Sequence, residues 1–104
     1  MDDQRMLELA AKAAGIKIRF SAGGSCAFDD GEYWRAWNPI TSNNDALQLA
    51  ITLSLVIDCS RLSCGEPFKP HTVWLDQSMG NAELTRRAIT RCAAEIQLVK
   101  ESGK

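Results

Sequence analysis

Four cysteines and a single histidine are the residues best equipped for chemistry in this chain of 104 residues. Cys59, Cys64 and His71 are the residues around which a tetrahedral Cys3His metal site would be built. Zinc sites of that kind are built from tight ligand pairs that turn around the ion. Cys59 and Cys64 are five apart and fit neither a zinc knuckle nor a thioredoxin-like Cys-x-x-Cys. The reading is therefore free thiols, with no metal and no cofactor expected. Cys92, at an apolar position of a helical pattern, reads as a small hydrophobe. His71 lacks a nearby carboxylate or nucleophile to make a catalytic pair, so it reads as a surface or strand-edge histidine.

The remaining candidates are weaker. Asp29-Asp30 precedes Gly31 and fits turn chemistry better than a carboxylate pair. Gly23-Gly24-Ser25 is followed by a strand pattern, whereas a phosphate loop feeds a helix N-terminus. Arg86, Arg87 and Arg91 are a basic cluster suited to a nucleotide or nucleic acid, but Glu83 and Glu95 stand at i,i+4 spacing on the same surface. Trp34, Trp37 and Trp74 are large aromatics of the kind that anchor partners when exposed. Alternation along 32–37 puts Trp34 and Trp37 on opposite faces of one strand, so one of them is the better placed for a partner. Trp34, Trp37, Trp74, Arg86, Arg87 and Arg91 are the candidate binding residues; there is no candidate catalytic or metal set, and the chain is not expected to be an enzyme.

Composition narrows the classes further. A formal charge of −1 gives no broad basic footprint for nucleic acid and no polybasic membrane contact. The start, Met1-Asp2-Asp3-Gln4-Arg5, lacks the basic-then-apolar order of a secretory signal, and the apolar run 46–57 is shorter than the ~20 residues that span a bilayer. A soluble protein of a reducing compartment, folding as a single domain over 1–104, is the expectation.

The elements that must position these residues follow from periodicity. Met6, Leu7, Ala10, Ala13 and Ala14 mark an amphipathic helix, capped by Asp2 or Asp3 and ended by Gly15. Segments 16–20, 25–28 and 32–37 alternate as the strands of an antiparallel meander. Asn38-Pro39 breaks the third strand. Ser42 and Asp45 have capping-box spacing ahead of a helix. Its residues Ala46, Leu47, Leu49, Ala50, Ile51 and Leu53 surround so much of the circumference that burial on more than one side is expected. A buried strand at 55–59 follows almost without a loop, then a loop at 60–70. A last strand at 72–76 is expected to pair with 55–59. Leu84, Ala88, Ile89, Cys92, Ala93, Ile96 and Val99 give a long final helix, with Asn81 as its N-cap. The repeated Leu-x-Leu-Ala at 7–10 and 47–50, each ahead of a strand, suggests two helix-plus-hairpin halves. The class is α+β: a mainly antiparallel sheet of about five strands with three helices packed on it, in the order α-β-β-β-α-β-β-α.

Three segments carry a resemblance: 7–16 (LELAAKAAGI), 37–41 with 45–50 (WNPIT and DALQLA), and 85–96 (TRRAITRCAAEI). With these the chain resembles small phage and prophage proteins of the phage alpha-beta-alpha sandwich type. Those relatives carry an acidic Asp-Asp-Gly-Asp run before the second helix, where this chain has Ser42-Asn43-Asn44-Asp45. The resemblance implies a short bacteriophage accessory protein working in the host cytoplasm without catalysis. Its implied partner is a host protein or complex, such as a component of bacterial defence inhibited in the manner of an anti-CRISPR. The alternative is a nucleotide-binding, nucleic-acid-binding or ligand-sequestering phage module. Homodimer formation through a sheet edge or helix face is compatible with either.

Overall fold

A computed structural model of the chain describes residues 2–21, 23, 26–29, 34–58, 63–66, 73–74 and 81–102. The elements are α1 (Asp3–Ala14), β1 (Ile18–Phe20), β2 (Cys26–Asp29), β3 (Trp34–Ala36), α2 (Asn43–Leu53), β4 (Val56–Asp58), β5 (Ser63–Gly65), β6 (Val73–Trp74) and α3 (Asn81–Ser102). The α+β class is the one read from the sequence, and so is the order of helices and strands apart from one added strand between α2 and α3. Two antiparallel sheets of three strands, β1-β2-β3 and β4-β5-β6, replace one continuous sheet. The additional strand β5 lies in the segment expected to be a loop. It stands between β4 and β6, so 73–74 pairs with 63–64 and not with the 55–59 segment. No periodicity in so short and Gly- and Cys-bearing a stretch marks it as a strand. The Asp30-Gly31 turn, Cys59 and His71 lie outside the described residues.

Local chemistry explains the helix ends. The Asp2 side chain accepts the Arg5 N–H at 2.7 Å and starts α1. At the other end Gly15 has φ +73°, and the Ile16 N–H donates to the Ala11 carbonyl at 2.8 Å. The end of α2 repeats the device. Ser54 has φ +53°, and the Leu55 N–H donates to Ala50 O at 3.0 Å. Both are 6→1 closures of the Schellman kind, and each sends the chain straight into a three-stranded meander. The internal echo is thus two helix-plus-meander halves followed by α3.

One buried cluster draws on all three helices and both sheets. Helix α1 contributes Met6, Leu7, Leu9, Ala10 and Ala11; α3 contributes Ala88, Ile89, Cys92, Ala93 and Ala94. The alanines on both sides let the α1 and α3 backbones approach closely. Leu9, absent from the simple periodic stripe, is fully buried because α1 is covered over a wide arc. Thr90 is also fully buried; its hydroxyl donates to Arg86 O at 2.8 Å, which removes the cost of an unsatisfied polar group.

The two left-handed caps give opposite expectations. Ser54→Gly relieves the steric cost that a side chain carries at positive φ and raises stability by about 0.5–1 kcal/mol. Gly15→Ala lowers it by about 1 kcal/mol; a Cβ there meets nothing within 4 Å, so the cost is conformational. Urea unfolding of the two variants against the parent reads both signs.

Candidate binding surface

The joint between sheet β1-β2-β3 and α2 is built around Asn38. Its N–H donates to Asp45 Oδ2 at 2.9 Å, its side-chain Oδ1 accepts from Ile40 N at 3.0 Å, and its carbonyl accepts from Ser42 N at 2.9 Å. Ser42 Oγ accepts the Asp45 N–H at 3.2 Å, so Ser42 does cap α2. The Asp45 carboxylate does not close the box on Ser42; it reaches four residues further back, to Asn38. Trp37, Pro39 and Ile40 are buried beneath this network.

Two of the three arginines of α3 tie that helix to other elements. Arg86 Nε donates to Ile40 O at 2.8 Å and Nη1 to Asn43 Oδ1 at 2.7 Å, which pins α3 to the entrance of α2. Arg87 makes two bonds to the Asp3 carboxylate, at 3.0 and 3.2 Å, and these push its pKa further up. Its buried Nε has no hydrogen-bond partner; Glu83 Oε1 at 3.7 Å balances charge without making a directional bond. Arg91 is exposed and lies 3.8 Å from Glu95. The trio therefore does not converge on a shared basic patch.

The tryptophans separate. Trp37 is 3% exposed and belongs to the core, which removes it from any contact surface, whereas Trp34 is 37% exposed on the outer face of β3. The Arg19 guanidinium carbon lies 4.3 Å from the Trp34 ring centroid, a cation–π pair across the sheet. Trp74 is placed in β6 by its backbone, and its side chain lies outside the described atoms.

The described cysteines, Cys26, Cys64 and Cys92, are buried rather than reactive. The Cys64 and Cys92 thiols are hydrogen-bonded to each other, and that bond together with burial holds the Cys64 pKa far above the ordinary thiol value. Burial, reinforced by the Asp45 charge, pushes Cys26 up to about 11. Thiols in this state are poor nucleophiles and poor metal ligands. Among the described residues no group of three or more His, Cys, Asp or Glu is placed to hold a metal ion.

An apolar surface on α2 is the feature that sequence reasoning missed. Leu47 and Ile51 are 53% and 60% exposed, and Val56 at the start of β4 is 41% exposed. This overturns the expectation that α2 is covered on more than one side. Beside the ridge runs an open groove of about 450 Å³, walled by Ala46, Leu47, Ile57, Ala82 and Ile89 with Arg86 at its edge. The signal was present: Ala46, Leu49, Ala50 and Leu53 already form a complete i,i+3,i+4,i+7 inner stripe. Leu47 and Ile51 form a second stripe one residue around, shared with Gln48 and Thr52.

No family profile matches the chain, and comparison with curated proteins and with solved structures likewise gave no match. Among the described residues no helix is long and apolar enough to cross a membrane.

The buried Cys26 thiol has a measurable consequence. A thiol whose folded pKa is raised favours the protonated folded state, so its contribution is present below the unfolded value near 9.0 and is lost as pH climbs through about 11. Stability should fall across that window by on the order of 2 kcal/mol from this group. In Cys26→Ala that part of the slope should vanish in urea titrations run at successive pH values; an unchanged slope would contradict the assignment.

Proposed function

We propose that this chain is a small non-catalytic bacteriophage accessory protein that binds a host protein or complex through the apolar surface of α2. The observation that carries the reading is the pairing of an exposed Leu47–Ile51 ridge with the groove alongside it. Aliphatic side chains this exposed on consecutive turns carry a solvation cost that a partner removes, at ~25 cal/mol per Å² of apolar area buried. The phage assignment rests on the resemblance at 7–16, 37–41, 45–50 and 85–96. Inhibition of a bacterial defence component is the outcome that a phage-encoded binder of this kind would serve.

The nucleic-acid reading draws less support from the geometry. Arg86 and Arg87 direct donors at Ile40, Asn43 and Asp3, which leaves Arg91 and the stacked Arg19–Trp34 pair as its residues. Salt separates the two. Phosphate binding weakens steeply as counterions are added, whereas an apolar contact survives about 0.5 M salt.

The test is capture of a stoichiometric partner from bacterial host lysates by the tagged chain, followed by affinity measurement with Leu47→Asp and Ile51→Asp. Both positions are exposed, so each variant should keep the parent far-UV spectrum and midpoint. Partner affinity should drop by at least tenfold per variant, more than about 1.4 kcal/mol. A partner bound equally well by both variants, or released at moderate salt, would move the contact away from α2.

A further inference from the structure

We infer that the α2–α3 groove takes an amphipathic helix of the partner, with aliphatic side chains in the groove and a carboxylate on Arg86. The inference rests on the protein-binding reading above and specifies the chemistry of what is bound. It starts from the setting of Arg86. Two of the five N–H donors that a guanidinium offers are held by neutral oxygens, the Ile40 carbonyl and the Asn43 amide. Those bonds fix the plane of the fork without cancelling its charge, and among the described residues no carboxylate is paired with it. A planar cation, already oriented, lines the groove together with Ala46, Leu47, Ile57, Ala82 and Ile89 and the polar Asn43 and Thr85. Little ordering cost remains when an anion docks on such a fork, and carboxylate geometry matches it.

The form of the occupant follows from the walls. They consist mostly of side chains from two helices, so recognition is by apolar packing and not by a row of backbone donors and acceptors. That is the setting of a helix laid into a groove and read at i, i+3 or i+4, and i+7. A second copy of this chain presenting its own α2 fits poorly. The acid of that helix is Asp45, and its carboxylate is engaged with the Asn38 N–H. A copy would bring leucine and isoleucine to the groove but no carboxylate to Arg86.

The experiment needs no knowledge of the host factor. Random peptides of about 15 residues, four helical turns, are selected by display against the immobilised full chain. The expected winners carry aliphatic residues at helical spacing with one Asp or Glu at a fixed offset, and gain helical ellipticity on binding. Changing that acid to its amide should weaken binding to the parent about tenfold. The same change should have less than a twofold effect on Arg86→Gln, while Leu47→Asp abolishes binding. Placing the charge change in the peptide keeps the comparison valid even where Arg86→Gln lowers stability. Enrichment of extended or acid-free sequences overturns the inference, and so does an acid preference that survives in Arg86→Gln. So does sedimentation showing a dimer that Leu47→Asp dissolves, because the groove is then filled by a second copy. Helical binders combined with no recoverable host partner would sink the host-directed reading alone.

Discussion

The hydrogen bond from the Asn38 N–H to the Asp45 carboxylate, 2.9 Å and partly buried, fixes where the meander stops and α2 begins. A charge-assisted bond of this kind contributes about 1.5–3 kcal/mol, several times a solvated ion pair. Without it, Pro39 would end β3 but would not determine the direction in which the chain leaves. With it, the turn at 38–42 is closed from both sides, and Ser42 falls at the cap position of α2. Arg86 then reads the closed turn through the Ile40 carbonyl, so the placement of α3 depends on the same few atoms. The groove between α2 and α3 is a consequence of that joint.

This dependence explains why the α3 arginines look functional in sequence and act structurally. A cluster of three arginines on one helix is the pattern of an anion site, but a helix packed against two others finds acceptors close by. Arg87 meets Asp3 from α1, and Arg86 meets the oxygens at the start of α2. Arg91 is a turn further on, exposed, and keeps a surface pair with Glu95 that is worth little. What survives as chemistry is a property of Arg86 alone: its partners among the described residues are neutral, so they hold its charge in place without neutralising it.

Legibility in the sequence tracked the range of the interaction. Local devices were readable because their causes lie within a few residues. Asp2, Gly15 and Ser42 are caps by side-chain type, and the break at Pro39 is covalent geometry. The α+β class followed from period-two and period-3.6 patterns. Nonlocal outcomes were not readable. Whether 63–65 pairs as β5, or the sheet divides in two, depends on contacts with α3 and β6 that carry no periodic mark. The role of Ser54 also escaped, because serine does not announce a left-handed backbone as glycine does. For the candidate surface, alternation separated Trp34 from Trp37 but could not say which face met the core.

The case of α2 shows how a correct pattern leads to a wrong burial. Six apolar residues in an eleven-residue helix look like a helix immersed on all sides. Immersion, however, requires neighbours, and α2 packs mainly on α3, with α1 touching it less. Ala46, Leu49 and Ala50 satisfy that contact, and two of these are alanines, so the packed face is narrow. Leu47 and Ile51 are then left more than half exposed to solvent. Helix propensity accounts for Leu47 but not for Ile51, since leucine ranks with lysine and glutamine as a helix former and isoleucine ranks below them. On the proposed reading a partner's surface covers this exposed Leu47–Ile51 ridge, which solubility alone disfavours, and the groove beside it would give that surface its shape.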